Sequence, residues 1–322
     1  MLGFLHVMKT DIVSQLDGVS GHIRPSLSAG RQARLRALLD QTENSIATAY
    51  DVMSDDTGKY LRDFAVQDMS DQVDTFNAVI RAPLASITLT PLALRSLTED
   101  TMVRGALQSQ WFAAQSEASK NRITSAIQLG FAEGETIDDI KRRLIGRSTG
   151  KFTTVLVNGK NRRIYERAGG VIAVSVREAE AIARTAVHAV SNRVRDAMFA
   201  ENADIVEGLE SLATLDGRTT PLCASYDRLR WDADHFPVGH SKRYLPTPRH
   251  WNCRSVHIPV LPLIDVLELA AMEKGVTLPE IPRASMDGPQ PSGRTMGEWL
   301  RTKPLAMQAQ VLGGLGKARL FS

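Results

Sequence analysis

Apolar residues recur at helical spacing through the first part of the chain. They return every three or four positions from Arg31 to Tyr50 and again from Lys59 to Ile80, which predicts two amphipathic helices. Pro83 and Pro91 bracket a break, and an extended segment is predicted at Ala85–Leu89. Such a pattern is typical of a helical scaffold, and exposed apolar faces for partner subunits are the alternative.

Two more helices are predicted before residue 150. The acids of Thr98-Glu99-Asp100 suit the positive end of a helix dipole, so a long helix is predicted from there towards Gly130. Thr136 precedes Asp139 by three residues, which is a variant of the capping box. This box predicts a short helix that ends near Gly146.

The pattern then changes to short β-branched runs. Thr153–Val157 and Arg163–Tyr165 flank Asn158-Gly159, and Asn-Gly between such runs predicts a β-hairpin. From residue 141 to 167 there are nine basic residues and one acid. A basic hairpin can contact phosphates, or its charges can simply solvate and protect the edge of a sheet. The candidate DNA contacts are Arg142, Arg143, Lys160, Arg162 and Arg163.

The second half mixes one strong helix with short strands. Val176–Ala200 carries a continuous apolar stripe, with His188 predicted to be a partly buried, hydrogen-bonded histidine. Strands are predicted at Leu212–Thr214 and Val256–Val260, and His257 in the latter is expected to be structural. The fold class is therefore predicted to be α+β: a mostly helical N-terminal region, then a small α+β module with a short antiparallel sheet.

Four consecutive segments are predicted. They are a helical docking region (1–130), a helix with a basic hairpin insertion (131–175), an α+β module (176–265), and a helix, linker and tail (266–322). Pro, Gly and Ser are frequent in Pro282–Arg294, which predicts a linker that lets a tail helix at Met296–Leu312 reach a separate partner. Packing of this tail back onto its own domain is the alternative.

Composition places the chain among ordinary globular proteins. Its 322 residues suggest two domains, and 43% apolar and 23% charged residues exclude a disordered chain. The formal net charge of +3 favours no partner class. The N-terminus lacks the features of a signal peptide, and no apolar run approaches the ~20 residues of a membrane span. We therefore expect a protein that is made and used in a cytosol, or packed into something assembled there, with no membrane partner. A lasting disulfide is not favoured in such a compartment.

Both cysteines lie in the stretch from Thr214 to Arg254, where candidate chemistry is concentrated. Cys223, His250 and Cys253, with Asp216 or His240 as a fourth ligand, can form a tetrahedral zinc site. The segment between the cysteines is poor in core residues, and a metal would staple it in a reducing compartment. Two buried thiols beside a hydrogen-bonded histidine, or a disulfide formed after release from the cell, remain alternatives.

Catalysis is the rival use of the same residues. His250 could serve as base to Cys223 or Cys253, or a metal could activate water. The sequence shows no base with an orienting acid, no phosphate loop and no nucleophile elbow, so no enzymatic activity is predicted.

Several of these segments resemble a known family. Ala183-Arg184-Thr185, the Thr214–Cys223 segment and the His250–Ser255 segment resemble signatures of the minor head, or head morphogenesis, proteins of tailed bacteriophages, typified by the Mu F protein. Gly134–Leu144 and the Trp299-Leu300 tail are also similar. The matching motif positions are Arg184, Thr185, Asp216, Gly217, Arg218, Thr219, Asn252 and Arg254.

The resemblance implies a structural protein of the virion. Such proteins are present in low copy and act in head assembly. They are in the host cytoplasm during assembly and in the virion afterwards, near the portal or inside the capsid. It implies portal and major capsid proteins as partners, and double-stranded DNA as a further possible one. The chain departs from the family at Trp251, where proline is usual, at Ala186-Val187, where an acid is common, and in the hairpin at Lys151–Arg167.

Overall fold

The fold is α+β, as predicted, with a helical N-terminal region and small antiparallel sheets. The computed structural model describes residues 2–18, 29–80, 85–87, 90–157, 160–261, 282–291 and 293–321. The helices are α1 (Leu2–Asp17), α2 (Ala29–Ile80), α3 (Pro91–Thr98), α4 (Gln108–Ala132), α5 (Ile137–Ile145), α6 (Ile172–Glu201), α7 (Pro221–Ser225), α8 (Met296–Arg301), α9 (Leu305–Leu312) and α10 (Leu315–Phe321). In the described ranges, no helix is long and apolar enough to cross a membrane.

The strands form three antiparallel arrangements. They are β1 (Met102–Val103), β2 (Ala106–Leu107), β3 (Arg147–Val157), β4 (Lys160–Ala168), β5 (Gly208–Leu212), β6 (Arg230–Asp232), β7 (Pro237–Val238) and β8 (Val256–Val260). Strands β1 and β2 pair, β3 and β4 pair, and the remaining four form one sheet in the order β7-β6-β5-β8.

The chain divides into two compact units that are each discontinuous in sequence. The first contains residues 1–60 and 106–184, and the second contains residues 61–105 and 185–322. Helices α2 and α6 each contribute residues to both units, so cuts along the sequence do not separate them. The four consecutive segments predicted from the sequence therefore do not coincide with these units.

Helix α2 is one continuous helix of 52 residues, so the prediction of two helices was wrong. The segment between the two predicted helices contains weak helix formers, including Gly58, but no proline. Met53 and Leu61 are both 1% exposed, so the buried face runs through this segment. Burial of that face outweighs the local propensity, which costs only about 1 kcal/mol for a glycine.

The predicted helix start at Thr98 was also wrong. Helix α3 ends at Thr98, and the β1–β2 hairpin intervenes before α4 begins at Gln108. Arg104 and Gly105 close this hairpin with positive φ angles of 52° and 85°. The start of α4 is instead marked by the side chain of Gln110, which accepts a hydrogen bond of 2.9 Å from the backbone N–H of Leu107.

The two predictions that rest on local turn chemistry are confirmed. The Thr136 Oγ1 accepts from the Asp139 N–H at 3.2 Å, and the Asp139 carboxylate accepts from the Thr136 N–H at 3.3 Å. Helix α5 then stops at Gly146, whose φ is 75°. Strands β3 and β4 form the predicted hairpin, with Val157 opposite Lys160. Both strands extend beyond the predicted runs, and the turn residues 158–159 lie outside the described part.

The four-stranded sheet belongs to the second unit. Strand β5 lies between β6 and β8, with Leu209 opposite Trp231 on one side and Pro259 on the other. Strand β8 was predicted correctly, whereas β5 ends at Leu212, where the sequence predicted a strand to begin. The strand stops there because the next backbone N–H, at Ala213, donates to the Asp227 carboxylate at 3.0 Å. One face of this region packs a core of Phe76, Ala85, Met198, Phe199, Val206, Leu209 and Leu261.

The tail packs within the second unit, onto the region of the two cysteines, so the alternative interpretation of the tail is confirmed and the prediction of a linker was wrong. Met296, Trp299, Leu300 and Val311 share one core with five residues of the motif stretch and its surroundings: Ala213, Leu215, Cys223, Ala224 and Cys253. The tail is three short helices rather than one. The predicted helix after residue 265 lies outside the described residues.

Arg283 attaches the segment before the tail. Its guanidinium forms a buried ion pair with Asp227 and donates to the Ala213 carbonyl at 2.6 Å. It also donates to the Arg294 carbonyl at 2.7 Å. The arginine exposes only 4% of its surface, so this segment is a part of the fold despite its content of Pro, Gly and Ser.

Candidate metal centre

Cys223 is presented by a short helix with a strong start. Thr220 caps α7, and its Oγ1 accepts a hydrogen bond of 3.3 Å from the Cys223 N–H. Pro221 follows at the first helical position, where its missing N–H has no cost. The thiol therefore sits in the first turn of α7, and Cys223 is 2% exposed.

His250 and Cys253 are brought together by a tight turn. The Cys253 N–H donates to the His250 carbonyl at 3.1 Å, and Asn252 within the turn has a φ of 58°. Asparagine tolerates this left-handed conformation better than most residues. The Asn252 N–H donates in turn to the Thr185 Oγ1 at 3.0 Å, which ties the turn to α6.

The three side chains form one group that can hold a metal ion. Their ligand atoms all lie within 4.8 Å of one another. The two Sγ atoms are 3.8 Å apart, and the Cys223 Sγ is 3.1 Å from the His250 Nε2. Zn–S bonds near 2.3 Å in a tetrahedron imply about 3.8 Å between sulfurs and about 3.6 Å between sulfur and nitrogen. The sulfurs already have the metal-bound spacing, and the histidine needs to move back by about half an ångström to reach it.

The histidine ring is oriented for metal ligation. Its Nδ1 lies 2.9 Å from the Trp251 carbonyl oxygen, which can only accept, so Nδ1 carries the proton in the neutral ring. The Nε2 lone pair then faces Cys223. A carbonyl behind a histidine fixes the tautomer in this way at many metal sites.

The two thiols share their protons unequally. A hydrogen bond from the Cys223 thiol lowers the pKa of Cys253 to about 5, and the backbone N–H groups of Arg249 and Ser255 also stabilise that thiolate. The same hydrogen bond and burial raise the pKa of Cys223 to about 12. A metal ion that binds both sulfurs would displace the thiol proton, because zinc binds the thiolate form of cysteine.

The predicted fourth ligands lie elsewhere. Both oxygens of Asp216 are taken by the guanidinium of Arg254, with Nη2 and Oδ1 2.8 Å apart. The His240 Nε2 lies 2.8 Å from the Arg230 carbonyl oxygen, and its ring packs edge-on against Trp231. Among the described residues, no other Cys, His, Asp or Glu joins the group.

Asp216 is the centre of a second set of contacts, which fixes the loop that contains Arg218 and Thr219. It accepts from the Arg218 N–H at 2.9 Å and from the Thr219 hydroxyl at 3.3 Å. Burial raises the pKa of the Asp216 carboxyl, but the hydrogen bonds and charge of Arg254 outweigh burial and hold it below its usual value. Gly217 faces the tail, where an added Cβ would lie 3.5 Å from the Met307 Cγ.

Arg184 and Thr185 are adjacent, but they differ in burial and in their contacts. Thr185 is fully buried and holds Asn252, whereas Arg184 is exposed and pairs with Glu180 on its own helix at 3.3 Å. His188 is partly buried, as predicted, with its Nε2 2.9 Å from the Ser255 carbonyl oxygen. His257 is also structural: its Nε2 accepts from Arg249 at 3.1 Å, and burial lowers its pKa to about 3.

Two of the five candidate DNA contacts, Arg142 and Arg143, are already paired with acids. Arg143 is held by two acids, with its Nη2 2.6 Å from Glu133 and its Nε 3.2 Å from Glu135. Arg142 pairs with Asp139 on the same helix. Arg163 lies over the ring of Phe152 at 4.8 Å, and the side chains of Lys160 and Arg162 lie outside the described part.

Sequence reasoning missed the Arg283–Asp227 pair, which positions the tail beside the cysteines. Asp227 also accepts from the Met296 N–H at 2.7 Å. This single carboxylate therefore joins Ala213 after β5, Arg283 in the segment before the tail, and the first tail helix. No local pattern could reveal a pairing over 56 positions. The one available signal was an arginine in a stretch that is otherwise rich in Pro, Gly and Ser.

No protein-family model, curated protein or solved structure matches this chain.

Proposed function

We propose that this chain is a minor head protein of a tailed bacteriophage, with a structural role in head assembly. The observation that carries the proposal is that the residues behind the resemblance hold one another in place. Asp216 clamps Arg254, Thr185 binds the turn at Asn252, and Trp299 of the tail is buried in the same core as both cysteines. Motifs that are far apart in sequence but meet in one small module are expected if the chain shares the fold of the family that it resembles.

Zinc is the metal that this donor set favours. Two thiolates and one imidazole are typical zinc ligands, and the sulfur spacing fits a tetrahedral ion. Bound zinc would hold α7 and the His250–Cys253 turn together, where the connecting segment supplies few core residues. The fourth position would be filled by water or by a residue of another chain.

Burial favours a structural centre over a catalytic one. A sulfur 3.1 Å from an imidazole nitrogen is also the geometry of a nucleophile and its base. Yet the residues that carry the two sulfurs are 2% and 3% exposed, and a substrate carbonyl or phosphate could not reach them without opening the core. We therefore assign the group to folding rather than to turnover.

The assembly role is tested by co-expression of the full chain with the portal and major capsid proteins encoded in the same genome. We expect the chain to co-purify with one of them and to be present in assembled heads. The matched variant Asp216→Asn with Arg254→Gln, which removes the clamp, should reduce incorporation. Heads that assemble normally and contain none of the chain, with no binding to either partner, would refute the proposal.

A further inference from the structure

The two cysteines meet from elements that are each fixed by other contacts. Cys223 lies in α7, whose start is capped by Thr220, and Cys253 ends a turn that Thr185 ties to α6. Both thiols are free, and their Sγ atoms are 3.8 Å apart although the residues are thirty positions apart. The two sulfurs are therefore placed side by side by contacts that do not involve the sulfurs themselves.

A disulfide requires only a small movement of these two sulfurs. The S–S bond is about 2.05 Å long, so closing the present distance of 3.8 Å requires a shift of about 0.9 Å from each sulfur. Rotation about the Cα–Cβ bond of a cysteine moves its sulfur and leaves the backbone in place. The same pair can therefore take two bonded forms, in which the sulfurs are either bridged by a metal ion or joined directly.

The proton acceptor that the second form requires is already in place. The thiolate is the form of cysteine that attacks another sulfur, so a thiol must lose its proton as the disulfide forms. The His250 Nε2 lies 3.1 Å from the Cys223 Sγ. Because Nδ1 is bonded to the Trp251 carbonyl, Nε2 has the free lone pair and can take this proton without moving.

Burial limits the size of the oxidant. Cys223 and Cys253 are 2% and 3% exposed, so a bulky disulfide such as oxidised glutathione does not reach them in the folded chain. His250 is partly exposed, so the group approaches the surface at the imidazole. Hydrogen peroxide is little larger than water and is the class of oxidant that this setting admits. Its reaction here should be slow beside that of an exposed thiol.

We propose that Cys223 and Cys253 are an oxidation site at which hydrogen peroxide forms an intrachain disulfide and displaces the zinc ion. One sulfur attacks a peroxide oxygen, the O–O bond breaks, and a sulfenic acid and one water form. The second sulfur attacks the first, the S–S bond forms as the S–O bond breaks, and a second water leaves. Two electrons pass from the sulfurs to the peroxide. His250 takes the proton of the Cys223 thiol, and when zinc is bound the two protons come from solvent and zinc leaves as Zn²⁺.

The oxidation site regulates the proposed zinc site and rests on it for the release of metal, whereas formation of the disulfide needs only the two thiols. Thiols stay reduced in a cytosol and form disulfides in oxidising surroundings. Zinc would hold α7 to the His250–Cys253 turn in the first setting, and the disulfide would hold the same two elements together in the second.

Mass spectrometry of the full chain after mild peroxide treatment tests the disulfide. Chain that has been stripped of metal with a chelator should lose two hydrogen atoms and both titratable thiols and should stay a single chain. Proteolysis without reductant should give a cross-linked pair of peptides that contain Cys223 and Cys253. The variant Cys223→Ser with Cys253→Ser, treated in the same way, measures methionine oxidation and should give no cross-link. Thiols that persist, separate oxidation of each to a sulfinic acid, or disulfides between chains would overturn the proposal.

Zinc release and the melting temperature separate this proposal from the zinc assignment. Zinc-loaded chain should release about one zinc per disulfide at the same rate, and dithiothreitol with added zinc should reverse both changes. The oxidised chain should melt several degrees above the reduced, metal-free chain, because a cross-link over thirty positions restricts the unfolded state. The double serine variant should show no such shift. Disulfide formation in a chain that never binds zinc would support the oxidation site and refute the zinc assignment. Zinc that is retained after the disulfide has formed would refute the displacement.

Discussion

The Sγ atoms of Cys223 and Cys253 lie 3.8 Å apart, although the residues are thirty positions apart in sequence. That distance is far longer than a disulfide bond of about 2.05 Å and equals the spacing of two thiolates on one zinc ion. Purified full-length protein should therefore contain about one zinc per chain by elemental mass spectrometry. Cys223→Ser and Cys253→Ser should each lose it, because two remaining ligands bind too weakly.

His240→Gln is the matched control for this measurement. His240 was a candidate fourth ligand, but its Nε2 bonds the Arg230 carbonyl, so its loss should leave the metal content unchanged. Removal of zinc with a chelator should lower the melting temperature of the wild type and leave that of Cys253→Ser unaffected. Protein that contains no metal, with both thiols titratable after unfolding, would show that the cysteines act as core residues.

Thr185→Val tests the bond that ties the His250–Cys253 turn to α6. Valine has nearly the same shape and fits the fully buried position of Thr185, but it removes the acceptor of the Asn252 N–H. We expect a loss of about 1–3 kcal/mol in the free energy of unfolding, together with weaker zinc retention. Chemical denaturation and competition with a chelator measure the two effects.

Arg184→Ala is the control for Thr185→Val. It removes an exposed side chain at the adjacent position, whose pair with Glu180 is a surface ion pair, so the unfolding free energy should change by no more than about 0.5 kcal/mol. An equal loss in both variants would mean that the helix, rather than the tie to the turn, is what the substitutions disturb.

These contacts show why local features were predictable and distant ones were not. The box at Thr136 and Asp139 lies within one helical turn, and the side-chain period of α6 is a property of its own sequence. The cysteine–histidine group was predictable because three ligand types of suitable spacing stand out against the rest of the composition. That Asp216 does not join the group was not predictable, since its carboxylate pairs with Arg254, 38 positions away.

The errors share a physical origin. Two helices were predicted on either side of the segment that contains Gly58, but burial of Met53 and Leu61 makes this segment helical as well. The segment before the tail has the composition of a linker, yet one buried arginine fixes it. In both cases tertiary contacts override a local preference worth about 1 kcal/mol or less.

Arg283→Met tests whether this arginine holds the tail. The side chains of Arg283 and Asp227 are 2% and 4% exposed, and removal of one partner leaves a buried charge uncompensated. We expect a loss of about 3–5 kcal/mol in unfolding free energy and earlier proteolytic release of the tail. The control Arg319→Met removes an exposed arginine of α10 and should be neutral. Unchanged stability in Arg283→Met would contradict the buried pair.

If the chain binds DNA, its affinity should depend on Lys160, Arg162 and Arg163 of the hairpin. Arg142 and Arg143 already pair with acids, so Arg142→Gln with Arg143→Gln should leave the salt dependence of duplex binding unchanged. Lys160→Gln with Arg162→Gln and Arg163→Gln should reduce the slope of log affinity against log salt by about 0.9 for each lost phosphate contact. Fluorescence anisotropy measures both slopes. Equal slopes in wild type and both variants would exclude this patch.

Asp196 should make stability depend on pH between 4 and 6. Burial raises the pKa of its carboxyl from 3.8 to about 6, against the opposing charges of Arg195, His235 and Arg193. The folded state therefore binds the proton more tightly than the unfolded state does. This contribution is fully present below pH 4 and is lost as pH rises through about 6.

Asn at position 196 mimics the protonated acid at every pH. Asp196→Asn should therefore be more stable than the wild type at pH 8, by about 1–2 kcal/mol, and the difference should vanish near pH 4. Thermal unfolding of both proteins across this range measures it, and Asp204→Asn, an exposed acid beyond the end of α6, serves as the control. A constant difference at all pH values would show that the Asp196 carboxyl titrates as it does in water. The carboxyl would then be hydrated rather than desolvated by burial.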